Sequence, residues 1–211
     1  MTPARGDHDA RRVAVSEAVW RVLSARGFGG LTLRAVAAEM SASTGLLTHY
    51  FPSKRALVAY ALDVLDRRSN ERPRRTAPAD GSPPPAAGLA RLRAALLDIL
   101  PLDEASAAGN RIWVGSWDVA LADPELAAAH AGRYGRAREA LTGHVADAQR
   151  LGELPDAVAA GQLAAGAQAF VLGLVVQALF APEEFPPERQ TVLVDAYLAG
   201  LAASPPVPAG G

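Results

Sequence analysis

The residues best suited to do chemistry in this chain lie between Gly27 and Lys54. Ser43, Thr44, Gly45, Thr48 and His49 are spaced so that one short helix would carry them at its N-terminal tip and along one polar face. Hydroxyls and an imidazole exchange hydrogen bonds with base edges, and a small residue at the tip lets the backbone approach closely. Thr32, Arg34, Tyr50 and Lys54 flank that face; a capped helix N-terminus, a guanidinium, a phenol and an ammonium suit phosphate oxygens. With Leu46 these residues form the expected DNA-contacting set. Competing chemistries have few residues to use. Cysteine is absent, and the four histidines (8, 49, 130 and 144) include no pair at i,i+3 or i,i+4. No G-x-S-x-G elbow, G-x-x-x-x-G-K phosphate loop or H-E-x-x-H is present. No catalytic residue, metal site or cofactor is therefore expected, and the chain does not read as an enzyme.

Apolar spacing is helical almost throughout. Val15, Ala18, Val19, Val22 and Leu23 form one stripe, and Gly27 suits the position after that helix, in a left-handed conformation. Thr32 caps a short helix with Val36, Ala37 and Met40 on its inner face. Ser43 is placed to cap a second, with Leu46, Leu47 and Phe51 as its apolar contacts, and Ser53 caps a third that begins at Lys54. Two short helices joined by a tight turn make a helix-turn-helix, whose second helix enters the major groove. No strand pattern is seen. Further helices are predicted near 88–99, 106–121, 123–151, 156–180 and 187–202, with Asp123-Pro124 and Asp156 as helix starts. The fold class is all-α: an N-terminal three-helix helix-turn-helix domain and a C-terminal helical bundle.

Composition divides the chain the same way. The net charge of −1 conceals 13 Lys/Arg against 7 Asp/Glu over residues 1–76, and 8 against 15 over the remainder. A basic module joined to an acidic one suggests that only the first meets a polyanion. The expected organisation is a helix-turn-helix domain at 1–62 with a connecting helix to about 69, a Pro-rich linker at 70–88, an effector-binding and dimerisation domain at 89–203, and a frayed tail at 204–211. Arg72, Arg74 and Arg75 form a charge run that is usually just solvated. Residues 157–182 carry no charge, but Gln162, Gln168 and Gln177 and the lack of Lys/Arg anchors argue against a membrane span. The opening residues lack an apolar signal region, so a cytoplasmic location is expected.

The segment resembles the DNA-binding domain of TetR-family transcriptional regulators, through Gly27, Thr32-Leu33, Val36-Ala37, Ser43, Gly45, Leu47, His49-Tyr50-Phe51, Ser53-Lys54 and Leu57. Within that family, residues 43–51 are most similar to BetI-type repressors, which respond to choline, and residues 111–126 resemble the C-terminal domain of the same subgroup. Two positions depart from the family pattern: Ser41 stands where the turn usually has Gly, and Thr48 where the recognition helix commonly has Tyr. The resemblance implies a ligand-responsive repressor that binds a palindromic double-stranded DNA operator as a homodimer, paired through helices near 156–180 and 187–202. Ala165, Ala169 and Gly173 would allow close helix approach there.

In the acidic module Trp113 and Trp117 fall at i,i+4, with Asn110 one turn before, and Phe170, Leu174 and Gln177 are further candidates to line an effector pocket. Two core tryptophans at helical spacing give the same pattern, and both readings stand at this point. The alternative function is a helical small-molecule-binding or interaction protein without specific DNA readout.

Overall fold

The computed structural model describes residues 5–71 and 87–203, the side chains of residues 5–11, 70 and 71 excepted. Most of the Pro-rich stretch expected as a linker, the tail at 204–211, His8, and Arg72, Arg74 and Arg75 lie outside the described residues. Among the described residues the secondary structure is helical, with no strand: α1 Arg5–Arg26, α2 Leu33–Glu39, α3 Thr44–Tyr50, α4 Lys54–Glu71, α5 Gly88–Leu97, α6 Glu104–Gly115, α7 Trp117–Leu121, α8 Pro124–Arg150, α9 Ala160–Phe180 and α10 Pro187–Ala203. They form two compact units.

The first unit holds α1 to α4 together with residues 111–127, a segment that the sequence reading assigns to the C-terminal domain. Its core joins Val15, Val19, Val22 and Leu23 of α1, Val36 of α2, Leu47 of α3 and Leu57, Leu62 and Leu65 of α4. Ile112, Ala120 and Leu126 lie in the same buried cluster, and Trp113 packs against it.

Local backbone chemistry explains the short elements. Gly27 ends α1 at φ +60°, a conformation that costs a residue without Cβ little. The Thr32 hydroxyl accepts a hydrogen bond from the Ala35 N–H at 3.0 Å, and the Ser53 hydroxyl accepts one from the Ala56 N–H at 3.1 Å. Ser43 has the extended backbone of an N-cap, but its side chain makes no capping bond. Between α2 and α3 the Ala42 N–H reaches back to the Ala37 carbonyl (2.9 Å) and the Ser41 N–H to the Ala38 carbonyl (3.1 Å), with Ser41 at φ +50°. This is a Schellman turn with a serine where glycine is cheapest. Ser41→Gly should therefore raise stability by about 1 kcal/mol, measured as a higher urea midpoint with an unchanged slope.

The second unit comprises residues 87–110 and 128–203 of the described chain. Leu92 and Leu96 of α5, Leu141 and Val145 of α8, Val171 and Val175 of α9, and Val194 and Leu198 of α10 are buried. Arg93 on α5 holds Asp195 on α10 with two hydrogen bonds, at 2.5 and 2.9 Å. This pairing, a hydrogen bond first and charge attraction second, outweighs partial burial and raises the Arg93 pKa. Glu153 reaches the start of α5, where its carboxylate accepts from the Leu89 N–H at 2.6 Å. Gly88, at φ +74°, leaves room for it, since a Cβ there would collide with that carboxylate. α9 is long and apolar enough to cross a membrane by length and composition, but Ala164, Ala167, Val171, Leu174, Val175 and Ala178 form a face buried within this unit.

Two helix boundaries differ from the sequence reading. The helix predicted over 106–121 breaks at Ser116, whose N–H and hydroxyl both bond back to the Trp113 carbonyl (3.1 and 2.6 Å). Such back-bonding after a glycine competes with the regular ladder, so Trp113 and Trp117 stand on successive helices, α6 and α7. Asp156 starts no helix: α9 begins at Ala160, and Gln149 instead pins the intervening turn through the Pro155 and Val158 carbonyls (2.9 and 2.8 Å). Asp123 does cap α8, its carboxylate accepting from the Glu125 and Leu126 N–H groups at 3.0 and 3.3 Å, with Pro124 as the first helical residue.

Candidate nucleic-acid interface

α3 is seven residues long, and only Leu47 within it is fully buried. That single anchor turns the rest of the helix outward. Ser43, Thr44, Gly45, Thr48 and His49 are all exposed, whereas Leu46 and Tyr50 are half-buried at its edges. The Thr48 hydroxyl donates to the Gly45 carbonyl at 2.9 Å, so it presents its oxygen lone pairs and methyl group outward. His49 meets the Tyr50 ring edge-on, with centroids 6.2 Å apart. Thr32, Arg34 and Lys54 are exposed in the same unit.

The neighbouring cations differ in their pairing. Arg21 on α1 donates to the Glu39 carboxylate (3.0 Å) and to its carbonyl (3.2 Å), covering the last turn of α2. Arg55 pairs with Glu125 at 2.7 Å, and Arg68 with Glu17 at 2.5 Å while its guanidinium lies 4.6 Å over Trp20. Among the described residues Arg26, Arg34 and Lys54 pair with no carboxylate. Arg26, Arg34, Thr32, Gly30, Ala35 and Ala38 line one open groove of about 400 Å³. Arg26 was not singled out in the sequence. Nothing local in the sequence marks it; in the fold its stem runs where a Cβ on Gly30 would sit.

These features match two descriptions of known families. Residues 15–61 match the model of bacterial regulatory proteins of the tetR family, and residues 88–203 match that of the BetI-type transcriptional repressor, C-terminal. The second match alone spans more than half of the chain. The chain belongs to the TetR family, with a BetI-type C-terminal domain. It is a transcriptional regulator of the helix-turn-helix kind, and the family is one of regulators, not enzymes.

A regulator named BetI from Paraburkholderia phytofirmans is 26% identical over 205 residues, covering 96% of this chain and 98% of that protein. The regulator PksA of Bacillus subtilis is 31% identical over 111 residues, an alignment spanning 53% of this chain and about half (52%) of PksA. Among solved structures, a transcriptional regulator of Pseudomonas aeruginosa has a TM-score of 0.72 at 27% identity, covering 93% of this chain and 92% of that one. A Saccharomonospora viridis regulator solved with choline has a TM-score of 0.77 at 21% identity, covering 91% and 96%, and speaks for the fold.

The effector candidates divide between the units. Trp113 and Trp117 belong to the first, where both are half-buried; Asn110, Phe170, Leu174 and Gln177 belong to the second. The Asn110 amide donates to the Ile99 carbonyl at 3.0 Å. Phe170 stacks on Tyr197 of α10, with centroids 4.3 Å apart and planes within 6°, and burial raises the Tyr197 pKa. Leu174 is buried and Gln177 exposed. His130 is only 6% exposed; burial first, and Arg133 second, lower its pKa.

Proposed function

We propose that this TetR-family regulator is a ligand-responsive repressor that binds a palindromic operator as a homodimer in the cytoplasm. The observation that supports it most is the α3 surface: a buried Leu47 with Ser43, Thr44, Gly45, Thr48 and His49 exposed around it. Those residues carry the base contacts. Thr32, Arg34, Tyr50 and Lys54 carry phosphate contacts, and Leu46 offers an apolar edge. The second subunit packs on the outer faces of α9 and α10. There Ala165, Ala169 and Gly173 are exposed, as are Phe180 (83%) and Val192 (64%). A two-fold pair sets two recognition helices about 34 Å apart, one DNA turn.

The candidates for effector contact are Trp113 and Trp117 in the first unit and, separately, Asn110, Phe170, Leu174 and Gln177 in the second; choline, the ligand of the S. viridis regulator, is the first compound to try. Ile112 and Trp113 pack in the same cluster as α4, so an effector that shifts α6 acts on the core that carries Lys54. Effector and operator affinities are then linked by one coupling free energy.

The test is a binding assay on DNA from upstream of the protein's own gene and on altered versions of it. Lys54→Ala should weaken every sequence by a similar factor, whereas Thr44→Ala and His49→Ala should change discrimination at single base pairs by about 1–3 kcal/mol. Equal losses on all sequences for all three variants would remove α3 as the reading helix.

A further inference from the structure

Some cations of the first unit hold carboxylates and others do not, and two of the latter line one groove. Arg21, Arg55 and Arg68 each hold a carboxylate. Arg26 and Arg34 do not, among the described residues, and both line the open groove floored by Gly30, Ala35 and Ala38. The Arg26 stem runs close over Gly30, with Cγ and Cδ each 3.3 Å from where a Cβ would sit. A glycine at this point admits the stem to the groove wall. Two guanidinium groups on one groove repel each other unless an anion lies between or across them, and the planar fork of arginine suits phosphate oxygens.

We infer that Arg26 and Arg34 together grip a backbone phosphate of the DNA duplex, a contact made outside the recognition helix by the end of α1 and the first turn of α2. The inference rests on the proposed DNA reading and adds Arg26 to it. A duplex phosphate is favoured over a small free anion because Lys54, the chain's only lysine, is another unpaired cation of the same unit. Several such cations serve a polymer of phosphates better than a single ion.

Fluorescence anisotropy with the full-length protein tests it, using a labelled duplex from its own upstream region and a 30-base-pair duplex of unrelated sequence. Arg26→Gln should weaken both duplexes by the same factor, roughly five- to tenfold at 100 mM salt. The slope of log affinity against log salt should become shallower by about 0.9 per copy. Arg26→Lys should retain the slope and recover part of the affinity, since the charge stays and the fork is lost. Each variant is first checked by thermal melting. Arg26→Met, which keeps an unbranched stem over Gly30 and removes the charge, replaces the Gln variant if that one is unfolded, with the same losses expected.

Wild-type affinity and slope in the neutral variant, alongside losses in Arg34→Gln and Lys54→Gln, would overturn the inference and leave the DNA reading intact. So would a loss confined to one of the two duplexes. A wild-type protein that binds neither duplex in a salt-dependent way would instead remove the DNA reading itself.

Discussion

Leu47→Ala should cost about 2–5 kcal/mol of stability and abolish operator binding, because it removes the only fully buried side chain of α3. A seven-residue helix has almost no intrinsic stability in water. Ser43 gives it no side-chain cap, so burial of Leu47 in the core of the first unit carries most of what keeps the reading surface in place. The loss is a large share of the roughly 5–15 kcal/mol by which domains are stable. Urea unfolding followed by circular dichroism measures it, and anisotropy on the same samples reads the DNA. Leu46→Ala, at a half-buried neighbour, should cost clearly less. Equal losses at the two positions would mean that α3 is held by something other than its inward leucine.

The second large effect is on salt. The chain as a whole is slightly acidic, with a net charge of −1, so attraction to DNA depends entirely on where its cations stand. If two subunits each place Arg26, Arg34 and Lys54 on phosphates, six contacts predict a log–log slope near −5 and a fall of about three orders of magnitude in affinity between 50 and 200 mM salt. With only Arg34 and Lys54 engaged, the fall is about two orders. Anisotropy titrations at four salt concentrations separate these values, and a flat response would show that the charges do not meet the duplex.

The helix-turn-helix was legible because its signals are local. Thr32 and Ser53 cap within three residues, and the turn at Ser41 needs the left-handed backbone that its place after α2 implies. Apolar spacing likewise marks Val15, Val19, Leu47 and Leu57 as inward-facing. Periodicity says which face of a helix is apolar and not which core receives it. That is why residues 111–127 read as part of the acidic domain although Ile112, Ala120 and Leu126 are buried with the basic one. The break at Ser116 was hidden because one serine hydroxyl folded back on Trp113 leaves the apolar pattern unchanged. The sorting of cations was equally out of reach: Arg21–Glu39, Arg68–Glu17 and Arg55–Glu125 join residues far apart in the chain. Only once those pairs and the groove beside α2 are known do Arg26 and Arg34 stand out.

The passage of residues 111–127 into the first unit also bears on how such regulators can be recombined. A hybrid cut after α4 and fused to a foreign sensor would lack Ile112, Ala120 and Leu126, leaving their neighbours in α1–α4 open to water. A transplantable DNA-reading head of this protein is thus discontinuous: it needs residues 111–127 supplied in trans or spliced in by a loop, and a graft made at the simple sequence boundary would yield an aggregation-prone product.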